Sequence, residues 1–157
     1  MFVCFGNICR SPMAEFIFRH RAEKAGVGEM FFVASAATAC EEGRPVHPGT
    51  LAVLEKYGVP TYRRSSVLLR AEDAEKYDLF IGMDSYNIRA MRRILGEGAA
   101  DRIHAVSEYT GSPHEVADPW YTGDFEATYR DLSAGTDALF ASLLGEVDDE
   151  TKDQQDR

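Results

Sequence analysis

The chain has 157 residues, 45% of them hydrophobic, enough for one ordinary core and too few for a second domain of similar size. Its formal charge of −9 excludes a general nucleic-acid-binding surface, because contact with a phosphate backbone needs clustered Lys and Arg, so any phosphate site is local. Three cysteines, Cys4, Cys9 and Cys40, are odd in number and too few for a disulfide scaffold. A reduced, cytoplasmic setting in which a thiol does chemistry is the expectation, and without a second ligand pair at zinc spacing no metal or other cofactor is expected.

The chain opens on Phe2-Val3, an apolar pair that reads as a short buried strand. Ser11-Pro12 then predicts a helix start, with Ser11 as N-cap and Pro12 at the first helical position. Met13, Phe16, Ile17, Ala22 and Ala25 recur at helical spacing until Gly26 and Gly28. The run MFFVASA at 30–36 predicts a second buried strand, and Pro48 opens a helix through Leu51, Val53, Leu54 and Tyr57 to Gly58. A short helix is expected over 71–77. DLFIGMD at 78–84 reads as a core strand, and SYNIRAMRRIL after it carries Ile88, Met91 and Leu95 on one face.

A last strand is expected at Ile103 to Val106, followed by a polar stretch to Gly123. A final helix then places Phe125, Tyr129, Leu132, Thr136, Leu139 and Leu143 on one side. Beyond Leu144 the acidic GEVDDETKDQQDR lacks core residues, so residues 1–144 read as the domain and 145–157 as a disordered tail. No apolar run approaches the length of a signal segment or a membrane span. Strands alternating with helices predict a single-domain, doubly wound α/β fold. Its four-stranded sheet is mainly parallel, has helices on both faces, and binds ligands at the carboxyl ends of its strands.

The stretch C-F-G-N-I-C-R-S at 4–11 therefore falls where the first strand meets a helix N-terminus, which offers free N–H groups and a dipole that favours an anion. Gly6 permits tight curvature, and Arg10 supplies a planar fork matched to phosphate oxygens. Cys4 at the base of such a nest becomes a nucleophile near neutral pH. The bland alternative makes Cys4 and Cys9 small buried hydrophobes, but here Cys, Gly, Arg, Ser and Pro each meet a separate requirement of one anion site. Asn7 reads as a side chain that holds the loop in shape.

A thiolate attacking a phosphoryl group needs an acid to protonate the leaving oxygen. Asp118, in ADPWYTGD, is the candidate: Pro119 restrains its backbone, and Trp120 and Tyr121 supply walls for an aryl slot. The same carboxylate then serves as base for water. These residues predict a metal-free phosphomonoesterase with a bell-shaped pH dependence and a mildly acidic optimum.

Residues 3–15 (VCFGNICRSPMAE), 35–38 (SAAT), 83–84 (MD) and 118–121 (DPWY) together resemble the low-molecular-weight protein tyrosine phosphatases, over residues 2 to about 144. The resemblance implies a flavodoxin-like fold, Cys4 as nucleophile, Arg10 as phosphate clamp and Asp118 as general acid. It implies Asn7, Ser11 and Ser35 as supports, and Phe5, Gly6, Asn7, Ile8, Cys9, Ser11, Trp120 and Tyr121 around the substrate. Cys9 is implied as the redox partner of Cys4. The implied partner is a phosphotyrosine-containing protein or peptide, an autophosphorylating tyrosine kinase among the candidates, with inorganic phosphate as product and neither nucleic acid nor membrane involved.

Two segments depart from the family pattern. A-C-E-E-G at 39–43 is one residue shorter, with Cys40 and Glu41 where an aromatic wall often stands. T-Y-R-R-S-S at 61–66 replaces a His-rich segment, so a supporting contact to Asn7 is not carried over. The alternatives are an arsenate reductase of the same fold, which needs further cysteines downstream to relay a disulfide; a protein-arginine phosphatase, whose loop has Thr where Ile8 stands; and a catalytically silent phosphate-binding module.

Overall fold

The computed structural model describes residues 1–155, with side chains through residue 146. Four strands, β1 (Phe2–Cys4), β2 (Ser35–Ala37), β3 (Phe80–Gly82) and β4 (Ile103–Ala105), form one sheet in the order β2-β1-β3-β4, and every pairing is parallel. The helices are α1 (Arg10–Lys24), α2 (Pro48–Lys56), α3 (Ser85–Leu95), the single turn α4 (Pro119–Thr122) and α5 (Phe125–Gln155). The fold is α/β and flavodoxin-like, as the alternation predicts.

Alternate residues of each strand enter different cores. Phe2, Cys4, Ile81 and Met83 face α1 and α5, where they meet Met13, Phe16, Leu132 and Phe140. Val3, Ala36, Phe80 and Ile103 face the other way, against Met91 and Leu95 of α3. Both faces of the sheet are therefore covered, which is why the strands read as continuous apolar runs and not as alternations. Because β1 lies between β2 and β3, the connections leave it in opposite directions. The crevice at the carboxyl ends of β1 and β3 is the switch point of the sheet, where ligands bind in open α/β folds.

Several local expectations are corrected. Of the segment 30–36 only Ser35 and Ala36 enter the sheet, in a strand that ends at Ala37; Gly28–Met30 is a 3-10 turn, and Phe32 is exposed and stacked on Tyr77. The strands at 78–84 and 103–106 are likewise shorter than predicted, because only Phe80–Gly82 and Ile103–Ala105 pair. Helix α1 starts at Arg10, two residues before the expected Pro12, with Cys9 and not Ser11 in the N-cap position and no side-chain cap bond; the Ser11 hydroxyl is turned toward Cys4 instead. The helix expected at 71–77 is a 3-10 turn over Ala71–Glu75. Helix α5 runs on past Leu144 to Gln155. For the acidic tail expected at 145–157, residues 156–157 and the side chains from 147 onward lie outside the described residues. Among the described residues no helix is long and apolar enough to cross a membrane.

Candidate active site

The loop from Cys4 to Arg10 closes around its own first residue. The Asn7 backbone N–H donates to Cys4 Sγ at 3.2 Å, and Ser11 Oγ lies 3.0 Å from the same sulfur. This return requires Asn7 to adopt φ +56°, the only positive φ at a non-glycine residue among the described residues. Asn tolerates the left-handed region better than most residues because its short polar side chain bonds locally. Here that side chain is fully buried and saturated: Nδ2 donates to Ser11 Oγ (2.8 Å) and Ser35 Oγ (3.0 Å), while Oδ1 accepts from the Val67 N–H (3.1 Å) and Arg64 Nη2 (2.8 Å). The Asn7 and Ser11 side chains thus lie behind the loop, as supports, and the parts of the loop that face outward are its backbone and Phe5, Gly6 and Ile8.

Arg10 is the first residue of α1 and only 2% exposed. Its Nη1 donates to Asp84 Oδ2 (2.7 Å) and to the Val116 carbonyl (2.9 Å), and its Nη2 reaches Asp118 Oδ2 at 3.4 Å. Asp84 divides its two oxygens: Oδ1 caps α3 by accepting from the Asn87 N–H at 2.8 Å, and Oδ2 holds the guanidinium. Burying a cation without such a partner costs several kcal/mol, on the order of 3–5 when one member of a buried pair is removed. Asp84 carries no role in the sequence reading beyond its place in M-D; the packing of β3 against β1 is what brings it to Arg10.

Asp118 is the N-cap of α4, accepting from the Trp120 N–H at 3.1 Å. That geometry fixes the carboxyl at the mouth of the cleft. Trp120 and Tyr121 stand on α4, 54% and 81% exposed, so they form the outer rim. The segment they belong to is pinned twice. At its start the Val116 N–H donates to the Met83 carbonyl at 3.0 Å while the Val116 carbonyl accepts from Arg10. At its end the Phe125 ring rests on Gly49, where a Cβ would come within 2.5 Å of the ring, and stacks on His47 at 4.9 Å between ring centroids.

The N-terminus of α2 braces both the Cys4–Arg10 loop and the rim that carries Trp120. His47 caps it through Nδ1, accepting from the Gly49 N–H at 2.9 Å, and its imidazole also meets Trp120 edge-on. The His47 backbone N–H donates to the Ile8 carbonyl (2.8 Å), and the Thr50 hydroxyl donates to the Cys9 carbonyl (3.2 Å). The sequence reading places this helix but does not single out His47; a His directly before Pro48 at a helix start is the signal that could have found it.

One cleft gathers these groups. It is lined by Cys4, Phe5, Gly6, Ile8, Cys9 and Arg10 of the loop, by Asp118, Trp120 and Tyr121, and by a third segment, Ala39, Cys40, Glu41 and Arg44. At about 270 Å³ it falls below the roughly 300–1,000 Å³ of pockets for drug-sized ligands, a size for one side chain and its phosphate. The wall at 39–44 is not simply acidic, since Arg44 lines it beside Glu41. Burial pushes the Cys9 thiol up to about 12, with Cys4 and Asp118 adding to the effect, and burial also raises Cys40. Ser35 sits at the start of β2, where its hydroxyl accepts from Asn7.

The T-Y-R-R-S-S segment does reach Asn7, a contact that the resemblance alone could not supply. Arg64, mostly buried, ion-pairs with Glu15 (3.6 Å) and donates to both the side chain and, at 3.5 Å, the carbonyl of Asn7. Tyr62 donates to Glu15 Oε2 at 2.6 Å.

A parallel sheet with a Cys-to-Arg anion loop at its switch point is an architecture of small hydrolases acting on phosphoric monoesters. The family model for low molecular weight phosphotyrosine protein phosphatase matches residues 1–150, and the chain belongs to that family. It is 34% identical over 149 residues to low molecular weight protein-tyrosine-phosphatase YfkJ of Bacillus subtilis, covering 93% of this chain and 96% of the relative. The crystal structure of YfkJ superposes with a TM-score of 0.88 at 35% identity, over 92% of this chain and 93% of that one. A low molecular weight phosphotyrosine protein phosphatase of Schizosaccharomyces pombe is 39% identical over 127 residues, 78% of this chain and 81% of its own. A structure of the YwlE arginine phosphatase with a phosphorylated active site serine matches with a TM-score of 0.80 at 27% identity, over 90% of this chain and 93% of that one.

Proposed function

We propose that this chain hydrolyses phosphotyrosine in cytoplasmic proteins or peptides through a cysteinyl-phosphate intermediate. The observation that carries the reading is the convergence of Cys4, Arg10 and Asp118 on one cleft whose rim is aromatic. In the first step the Cys4 thiolate attacks phosphorus, the bond from phosphorus to the phenolic oxygen breaks, and Asp118 gives its proton to that oxygen. In the second step the Asp118 carboxylate takes a proton from water, the water oxygen attacks phosphorus, and the S–P bond breaks to release phosphate and the thiolate.

Three features support these roles. The Asn7 N–H donates to Cys4 Sγ and Ser11 Oγ lies 3.0 Å from it, which holds the sulfur at the base of the loop in a position that suits a nucleophile. Arg10, held in plane by Asp84 and Val116, presents Nη2 to the same space as Asp118, where the equatorial oxygens of a transferring phosphoryl group accumulate charge. Phe5, Ile8 and Trp120 offer apolar contact to a phenyl ring. To Cys9, which lines the same cleft as Cys4, we assign the closing of a disulfide with Cys4 when a peroxide oxidises the pair, the two thiols giving up two protons and two electrons and the peroxide leaving as water.

The test is steady-state hydrolysis of an aryl phosphate, a phosphotyrosine peptide and a phosphoarginine protein, with chelator present, by wild type, Cys4→Ser and Asp118→Ala. Turnover of the first two substrates that is lost in Cys4→Ser supports the reading. Preference for phosphoarginine would move the chain to the other substrate class, and unchanged turnover in Cys4→Ser would remove the mechanism.

A further inference from the structure

Arg64 does not line the cleft, yet it ends a continuous chain of hydrogen bonds that leads to Cys4. We infer that Arg64 is a positioning residue that sets the polarity of this chain, so that Ser11 donates its hydroxyl proton toward the Cys4 sulfur. The inference rests on the proposed role of Cys4 as nucleophile.

The polarity follows from which groups can accept. A guanidinium has donors only, and so has the Val67 N–H; both point at Asn7 Oδ1, at 2.8 and 3.1 Å. Two donors on one side fix the amide with its oxygen toward Arg64 and its NH₂ toward Ser11 and Ser35. Nδ2 then donates to Ser11 Oγ at 2.8 Å, and this occupies the hydroxyl as acceptor. Its single proton has two destinations, Cys4 Sγ at 3.0 Å and the Ala36 carbonyl at 3.5 Å. The sulfur is the nearer, and when ionised it is the stronger acceptor. Donation therefore runs from Arg64 through Asn7 and Ser11 to Cys4, and each link polarises the next.

The guanidinium is itself held for this task. Glu15, buried on the inner side of α1, pairs with Arg64 Nε at 3.6 Å and takes the Tyr62 hydroxyl at 2.6 Å. Arg64 Nη2 also reaches the Ser35 carbonyl at 3.4 Å. A buried pair of this kind adds little net stability against an apolar replacement, which is consistent with retention for geometry. Because Arg stays protonated at any pH a protein survives, the donor end of the chain does not titrate.

The experiment compares Arg64→Met, Arg64→Gln and Arg64→Lys with wild type, using circular dichroism to confirm folding. The first readout needs no substrate: the rate at which iodoacetate alkylates Cys4, read by fragmenting the Cys4 peptide in a mass spectrometer, at mildly acidic and at alkaline pH. In the neutral variants the ratio of acidic to alkaline rate falls about tenfold, the effect of weakening a charge-assisted contact, and in Arg64→Lys it falls less. The second readout is aryl phosphate turnover, in which kcat falls with the ratio while KM stays within about threefold. An unchanged alkylation ratio in whichever neutral variant folds overturns the inference, as does a loss in Arg64→Lys equal to that in Arg64→Met. Failure of the phosphotyrosine reading would show in the substrate comparison and leave the alkylation ratio as evidence on Arg64 alone.

Discussion

Arg10 Nη2 and Asp118 Oδ2 lie 3.4 Å apart, so the two groups proposed as phosphate clamp and general acid hold each other in the cleft. A phosphate that takes this face of the guanidinium competes with the carboxylate for it. In Asp118→Asn, kcat for an aryl phosphate falls about 10²–10⁴-fold, more for a poor leaving group than for a good one. Inorganic phosphate, freed of the competing charge, then inhibits at lower concentration than in wild type. Phosphate inhibition constants for the two proteins check this, and weaker inhibition of the variant would contradict it.

Asn7 combines φ +56° with a saturated side chain, and two substitutions separate these contributions. Asn7→Gly and Asn7→Ala lose the same hydrogen bonds, but only alanine keeps a Cβ in the left-handed region, at a cost of about 1–2 kcal/mol. Urea denaturation is expected to rank wild type above Asn7→Gly and Asn7→Gly above Asn7→Ala. Equal midpoints for the two variants would mean that the loop relaxes its backbone when the side chain goes.

The seat of Phe125 on Gly49 leaves no room for a methyl group, with ring carbons 2.5 to 2.7 Å from where it would stand. Gly49→Ala displaces the ring, costs about 1–3 kcal/mol, and loosens the rim that carries Trp120. KM for a phosphotyrosine peptide rises more than kcat falls. A variant as stable as wild type with an unchanged KM would show that the ring is not wedged there.

Tyr62 gives the fold an alkaline limit. Burial, together with its hydrogen bond to Glu15, pushes its hydroxyl up to about 12, against about 10 for a free tyrosine. Between these values the unfolded chain has lost the proton and the folded chain keeps it. The stabilisation is therefore complete below the lower value and is lost as pH rises through the upper. In Tyr62→Phe, melting temperature falls less steeply with pH across that window. An identical slope would mean that Tyr62 ionises freely in the folded protein.

The sequence shows the parts of this site that are local. The bounds of α3 at Ser85 and Leu95 are those of its apolar spacing, because Asp84 and Gly96 close it with chemistry read residue by residue. Cys4, Arg10 and Asp118 announce themselves through residue types that each answer one requirement of phosphoryl transfer. Arg64 does not, because one arginine in R-R-S-S looks like a solvated charge until Glu15 and Asn7, far off in sequence, are brought to it. Ser11 misleads for a related reason: it is an ideal cap by type, but a sulfur in the loop takes its hydroxyl. Phe31 and Phe32 mislead through composition alone, since an apolar pair predicts a strand whether or not a neighbouring strand extends far enough to pair with it.

The pins at Val116 and Phe125 divide the labour between inheritance and novelty. Between them the chain exposes Trp120 and Tyr121, while the groups fixed by the pins are those that position Arg10 and brace the loop. Mutation of Trp120 and Tyr121 can therefore reshape the outer rim while Asp118, which lies between the same pins, and Arg10 stay in place. A lineage built on this scaffold is free to diversify its targets quickly while its chemistry stands still.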